Sequence, residues 1–249
     1  MRSLRSRWNR FRSVLRRSLG DTMKLRVVRL LLLAGVVAGL QPGCVGAQDA
    51  KPVVAAPVDT GCCGVITPAG AQLVAFLDSL NVDHLWTAHE HIDWETGEPT
   101  AGHGHEPPTH CSAFAAAAGK KLGIYMLRPP EHPQNMLSEA QEKWFESDAG
   151  REGGWKPVSS PKEAQVLANQ GEFVVLVFGR ERGSGHIAIV RPAVKSDKAL
   201  ADEGPQTTQA GGHNFSSGTA KYSFVFHPGV WPSQVKMFAH VTRFEPGAQ

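Results

Sequence analysis

The chain has 249 residues, four cysteines and a formal net charge of +3. Ten Lys or Arg residues and one acidic residue fall in its first thirty positions, so setting aside that leader, a charge of +9, takes the remainder from +3 to −6. A mildly acidic body without a basic stripe excludes nucleic acid as the expected partner, and the roughly 200 residues left suffice for one domain with its own core.

The basic leader runs into an apolar stretch comprising Val27, Val28, Leu30 to Leu33 and Ala34 to Leu40, interrupted near its start by Arg29. Val45-Gly46-Ala47 before Gln48 supplies small residues for cleavage, and the three regions together read as a secretory signal peptide over residues 1–47. The apolar stretch is too short for a comfortable transmembrane span. Met23 offers an alternative start, Arg16-Arg17 makes a poor twin-arginine motif, and Gln41-Pro42-Gly43 gives Cys44 a weak acylation context. The expectation is a secreted or periplasmic soluble protein, with no lipid anchor at Cys44 and no stable membrane insertion.

Residues 48–66 are rich in Pro, Ala, Val and Gly and read as an irregular lead-in to a single domain over 67–249. Thr67-Pro68 provides an N-cap and an N1 proline for a helix to about Leu80, with Leu73, Phe76, Leu77 and Leu80 on one face. Residues 81–110 show no clean period and predict a long ordered loop, of the kind that walls or covers a site. An alanine-rich helix follows from about Thr109 to Ala118, with Gly119 as its terminator. Met136 to Phe145 predicts an amphipathic helix, and Ser160-Pro161-Lys162-Glu163 caps another that reaches Asn169. Strands are expected over 173–178 and 186–190, with a polar turn over 179–185 between them, a third strand ending near Gln209 and a fourth over 222–226. Trp231 to Phe238 reads as a terminal helix or turn, before a last strand through Phe244. Helices first and a mostly antiparallel sheet second predict an α+β domain.

Cysteine chemistry narrows the function. After the leader remain Cys62, Cys63 and Cys111, an odd number, so any intramolecular pairing leaves a free thiol. Cys62 and Cys63 can bridge each other, or one can pair elsewhere. Cys111 falls in the first turn of the alanine-rich helix, where unpaired backbone N–H groups and the helix dipole favour a thiolate. A thiolate nucleophile needs a base, and His186 opens a strand that fixes its ring. The imidazole then needs an orienting acceptor, for which Gln209 at a strand end and Asn214 in the following loop are the candidates.

The segments Thr109-His110-Cys111-Ser112-Ala113-Phe114 and Gly185-His186-Ile187-Ala188-Ile189-Val190, followed by a polar residue after the next strand, resemble the NlpC/P60 and CHAP families of papain-like cysteine peptidases and amidases. The resemblance covers about Thr109 to Asn214. It implies a papain-like fold, with Cys111 as nucleophile, His186 as base and Gln209 or Asn214 as the third polar residue. It also implies peptide or amide cleavage, with peptide or peptidoglycan fragments as substrate and no cofactor. Two departures stand out: His186 lies 75 positions after Cys111, a long spacing, and the third position has no acidic residue.

Two other functions compete. All eleven histidines follow the leader, and six precede Cys111. His89 and His91, with His103 and His105, could ligate zinc for a metal-dependent hydrolase, although they match neither a His-Glu-x-x-His helix nor a paired Cys pattern. A non-catalytic exported binding domain is the third reading, with Trp86 and Trp94 lining a groove in place of anchoring their loop to the core.

Overall fold

A computed structural model describes residues 61–102, 109–181 and 183–244. In chain order these form α1 (Pro68–Ser79), α2 (Cys111–Lys121), α3 (Leu137–Glu146), α4 (Asp148–Glu152), β1 (Lys156–Pro157), α5 (Pro161–Asn169), β2 (Phe173–Phe178), β3 (His186–Val190), α6 (Asp197–Glu203), β4 (Gln206–Gln209), β5 (Phe215–Thr219), α7 (Ala220–Ser223) and β6 (Lys236–His240). The strands make one sheet of order β1-β6-β2-β3-β4-β5 with every pairing antiparallel, so the fold is α+β.

Strands β2 and β3 lie at the centre and are apolar on both faces because both faces are covered. Phe173, Val175, Val177, Ile187 and Ile189 join Leu73 of α1 and Phe114 of α2 in one core cluster. Val174, Leu176 and Val190 join Ala164 and Ala168 of α5 and Phe224 in a second. The period of two along each strand divides its residues between the layers, and the pairs Val175↔Ile189 and Val175↔Phe238 keep the faces in register.

Helix α2 is buried over every residue from Cys111 to Gly119. Apolar character all round is the signature of a core helix, and its alanines allow close approach to the sheet. Capping by Thr67 on Gly70 N and by Ser160 on Glu163 N starts α1 and α5 where the sequence signals place them.

Several boundaries differ from the sequence reading. Gly119 does not end α2, which continues to Lys121; the left-handed residue is Gly123 at φ 71°, and the Ile124 N–H returns to the Gly119 carbonyl at 2.8 Å. A side chain at Gly119 would stand 3.2 Å from the Ile124 carbonyl, which accounts for a glycine inside the helix. The strand expected over 222–226 is instead β5 at Phe215–Thr219, because the Thr219 hydroxyl caps Tyr222 N and turns the chain into α7. The stretch from Trp231 turns and then enters strand β6 at Lys236, which pairs with the central β2 and ends at His240, short of Phe244. Residues 61–66 are irregular as expected but tied to the domain, with Cys62 N–H bonded to the Lys195 carbonyl at 2.7 Å.

Among the described residues no helix is long and apolar enough to cross a membrane. The expected signal peptide, Cys44, His103 and His105 lie outside the described residues.

Candidate active site

Cys62 and Cys63 are bonded to each other, which leaves Cys111 as the free and buried thiol among the described residues. Cys111 is the first residue of α2 after His110. The His110 ring does not cap the helix; it is buried between Gln134 Oε1 at 3.2 Å and the Glu90 carbonyl at 3.0 Å. These contacts tie the start of α2 to the long loop on one side and to the approach to α3 on the other. The first helical bond runs from Phe114 N–H to the His110 carbonyl at 2.9 Å. The N–H groups of Cys111, Ser112 and Ala113 precede it and have no acceptor within the helix.

Strand β3 brings His186 to this helix terminus. Pairing of β3 with β4 runs through Ile189↔Thr208 and Val190↔Thr207 but stops before Ile187. The Ile187 N–H is thereby released from the ladder and donates toward the Cys111 sulfur. Gln209, the last residue of β4, places Oε1 2.6 Å from His186 Nε2. Its amide nitrogen donates to the His213 carbonyl at 3.0 Å, which fixes the orientation and leaves Oε1 as the acceptor of the imidazole N–H. With Nε2 occupied by Gln209, the other ring nitrogen is the one available to the thiol.

Burial pushes the Cys111 thiol up, but the charge and hydrogen bonding of His186, the Ile187 N–H and the Ser112 hydroxyl outweigh it. The net effect lowers the pKa to about 7. For His186, burial opposes protonation, while the Cys111 thiolate and the Gln209 acceptor favour it and raise its pKa overall. Each group stabilises the charged form of the other, the condition for a thiolate–imidazolium pair. The imidazole is further fixed edge-on to Phe224, with ring centroids 5.3 Å apart.

Asn214 does not join this chain of contacts. Its Nδ2 donates to the carbonyls of Val82, Leu85 and Trp86 at 3.0, 2.7 and 3.3 Å, and its Oδ1 accepts from Gly211 N. Asn214 anchors the long loop, and Gln209 is the amide that holds the histidine. Trp86 is likewise an anchor, fully buried against Phe114 with its indole N–H on the Trp94 carbonyl. Of the proposed zinc ligands, His89 is exposed and His91 partly buried. No three His, Cys, Asp or Glu side chains converge as a metal site among the described residues.

Two clefts meet at the Cys111–His186 pair and share Thr109, Ser184 and Gly185. One, of about 370 Å³, is lined by Cys111 and Ser112 and continues along Gln134, Asn135 and Ser138. The other, of about 320 Å³, is lined by His186, Gln209, Arg180, Phe226 and His227. Local pattern marks 179–185 only as a polar turn and 222–226 as a strand, and neither signal reveals these walls. Gly185 was the available signal: a side chain there would fall 2.3 Å from the Phe178 carbonyl and 2.6 Å from Ser138 Oγ. Comparison of the chain with known proteins found no matching family model and no matching curated protein.

Proposed function

We propose that the protein is an exported cysteine hydrolase of papain-like type, similar to the NlpC/P60 and CHAP families, that cleaves peptide or amide bonds. The observation that carries this reading is the mutual arrangement of Cys111 and His186, with Gln209 Oε1 2.6 Å from the far ring nitrogen. A cysteine that served only to fill the core needs neither a buried facing histidine nor an acceptor behind it.

The Cys111 thiolate attacks the substrate carbonyl carbon, with its proton held on His186. Backbone N–H groups at the start of α2 are the available donors for the oxygen that becomes negative. The imidazolium gives its proton to the departing amine as the C–N bond breaks, and a thioester to Cys111 remains. Water, deprotonated by His186, then releases the acid and restores the thiol. Gln209 keeps the imidazole in the required tautomer and supports its positive form, the task of the third residue in such arrangements. Export follows from the basic and apolar leader, and peptidoglycan peptides suit an exported hydrolase as substrate.

The test combines alkylation and hydrolysis. Iodoacetamide should modify Cys111 with a midpoint near pH 7, and His186→Ala should move that midpoint past the ordinary thiol value of about 8.5. Peptidoglycan fragments and linear peptides should be cleaved by the unmodified protein and spared by Cys111→Ala. Ordinary thiol behaviour in both proteins would sink the proposal.

A further inference from the structure

Amide hydrolysis by Cys111 and His186 divides the two clefts by role. The atom that receives the His186 proton is the leaving nitrogen, so the amine departs through the cleft that His186 and Gln209 line. The acyl part lies along the cleft of Cys111 and Ser112. The departing side has a definite chemistry: it gathers Arg180 and two imidazoles, His186 and His227, whose rings stack at 6.1 Å, and no Asp or Glu is among its described lining residues.

Arg180 is exposed and makes no ion pair among the described residues. Burial, followed by the charges of His186 and Arg180, keeps the pKa of His227 below the usual imidazole range. Phe226 adds an apolar wall that is 58% exposed, with its ring where a side chain on Gly212 would stand only 2.8 Å away. The cleft's 320 Å³ is at the low end of the range for small-ligand sites, about 300–1,000 Å³, and suits one residue better than an extended chain.

We propose that the cleft bounded by Arg180, His227 and Phe226 is a leaving-group subsite for an amino-acid residue with a free carboxylate, so that the protein removes the C-terminal residue of a peptide. Arg180 receives the carboxylate and Phe226 covers the apolar part of the departing residue. The thiolate forms its bond to the carbonyl carbon, the C–N electron pair leaves with nitrogen, and the His186 proton neutralises the amine. Water later displaces Cys111 from the thioester. The released product is a free amino acid, whose carboxylate takes no part in the bond changes. This inference rests on the cysteine-hydrolase reading.

The full chain is assayed on a pool of peptidoglycan stem peptides and linear peptides, each prepared as the C-terminal acid and as the carboxamide, with released residues identified by mass spectrometry. The acids should be cleaved with kcat/KM about tenfold higher, the size of effect expected from one charge-assisted hydrogen bond. Arg180→Gln should bring the two series together, and Arg180→Lys should keep part of the preference. Equal rates on acids and carboxamides, or a preference that survives Arg180→Gln, would overturn the subsite while leaving the hydrolase intact. Failure to cleave either series, with Cys111 alkylated like an ordinary thiol, would remove both.

Discussion

Replacing Gln209 with alanine isolates the least conspicuous member of the site. Gln209 is 3% exposed, and its Oε1 accepts the Nε2–H of a buried histidine. A hydrogen bond to a charged group contributes about 1.5–3 kcal/mol and one between neutral groups about 0.5–1.5, so the imidazolium loses about 1–1.5 kcal/mol more than the neutral ring does. At about 1.36 kcal/mol per pH unit, that difference is about one unit. The sign follows from the pairing: a less stable imidazolium supports the thiolate less well, so Cys111 keeps its proton to higher pH. The alkylation midpoint should move from about 7 toward about 8. Iodoacetamide rates measured across pH 5 to 10, with the Cys111 peptide quantified by mass spectrometry, read this directly. Circular dichroism on the same samples checks the fold. A midpoint unchanged in folded Gln209→Ala would refute the role assigned to Gln209 and return it to a strand-end amide.

Three further outcomes follow from the same geometry. Hydrolysis should rise through about pH 7 as Cys111 ionises and fall on the alkaline side as the imidazolium loses its proton, at a midpoint above the usual histidine value; a kcat/KM profile with no acidic limb near neutrality would contradict the ion pair. Asn214→Ala strips donors from three loop carbonyls and should cost about 2–3 kcal/mol, lowering Tm by about 5–10 °C, while the alkylation midpoint of Cys111 stays in place. Chelation with EDTA should leave hydrolysis intact and iodoacetamide should abolish it; the reverse pattern would move the chemistry to the histidine-rich segment.

The central elements were readable because their signals are local and strong. The continuous apolar run Phe173–Phe178 and the run opened by His186 describe strands buried on both sides, and both occur with the expected bounds. Thr67-Pro68 and Ser160-Pro161 fix two helix starts through caps that need only a few neighbouring residues. What failed was decided by distant partners. Asn214 and Gln209 are both amides near a strand end, and nothing local shows that one amide is held by a loop 128 to 132 residues away. The segment from Tyr222 to Phe226 is apolar and aromatic enough for a strand, yet the Thr219 cap and packing against the second core cluster turn it into a helix and a cleft wall. Short α6 carries a single buried residue, Leu200, and so has no apolar period to detect.

The same logic explains why the Cys111–His186 pair sits at the edge of the core. A thiolate and an imidazolium each lose solvation when buried, and burial alone would leave both neutral. Mutual attraction offsets that loss only when the pair is close and its remaining polar atoms are satisfied. Helix α2 meets the first condition through its alanines, which let its first residue reach the start of β3. The end of the β3–β4 ladder meets the second, because it frees the Ile187 N–H for the sulfur and places Gln209 against the far ring nitrogen. Had β4 continued pairing past Gln209, Ile187 would have been bound in the sheet and the sulfur would have lost that donor. The interruption of regular structure at Gln209 is therefore part of what makes Cys111 acidic.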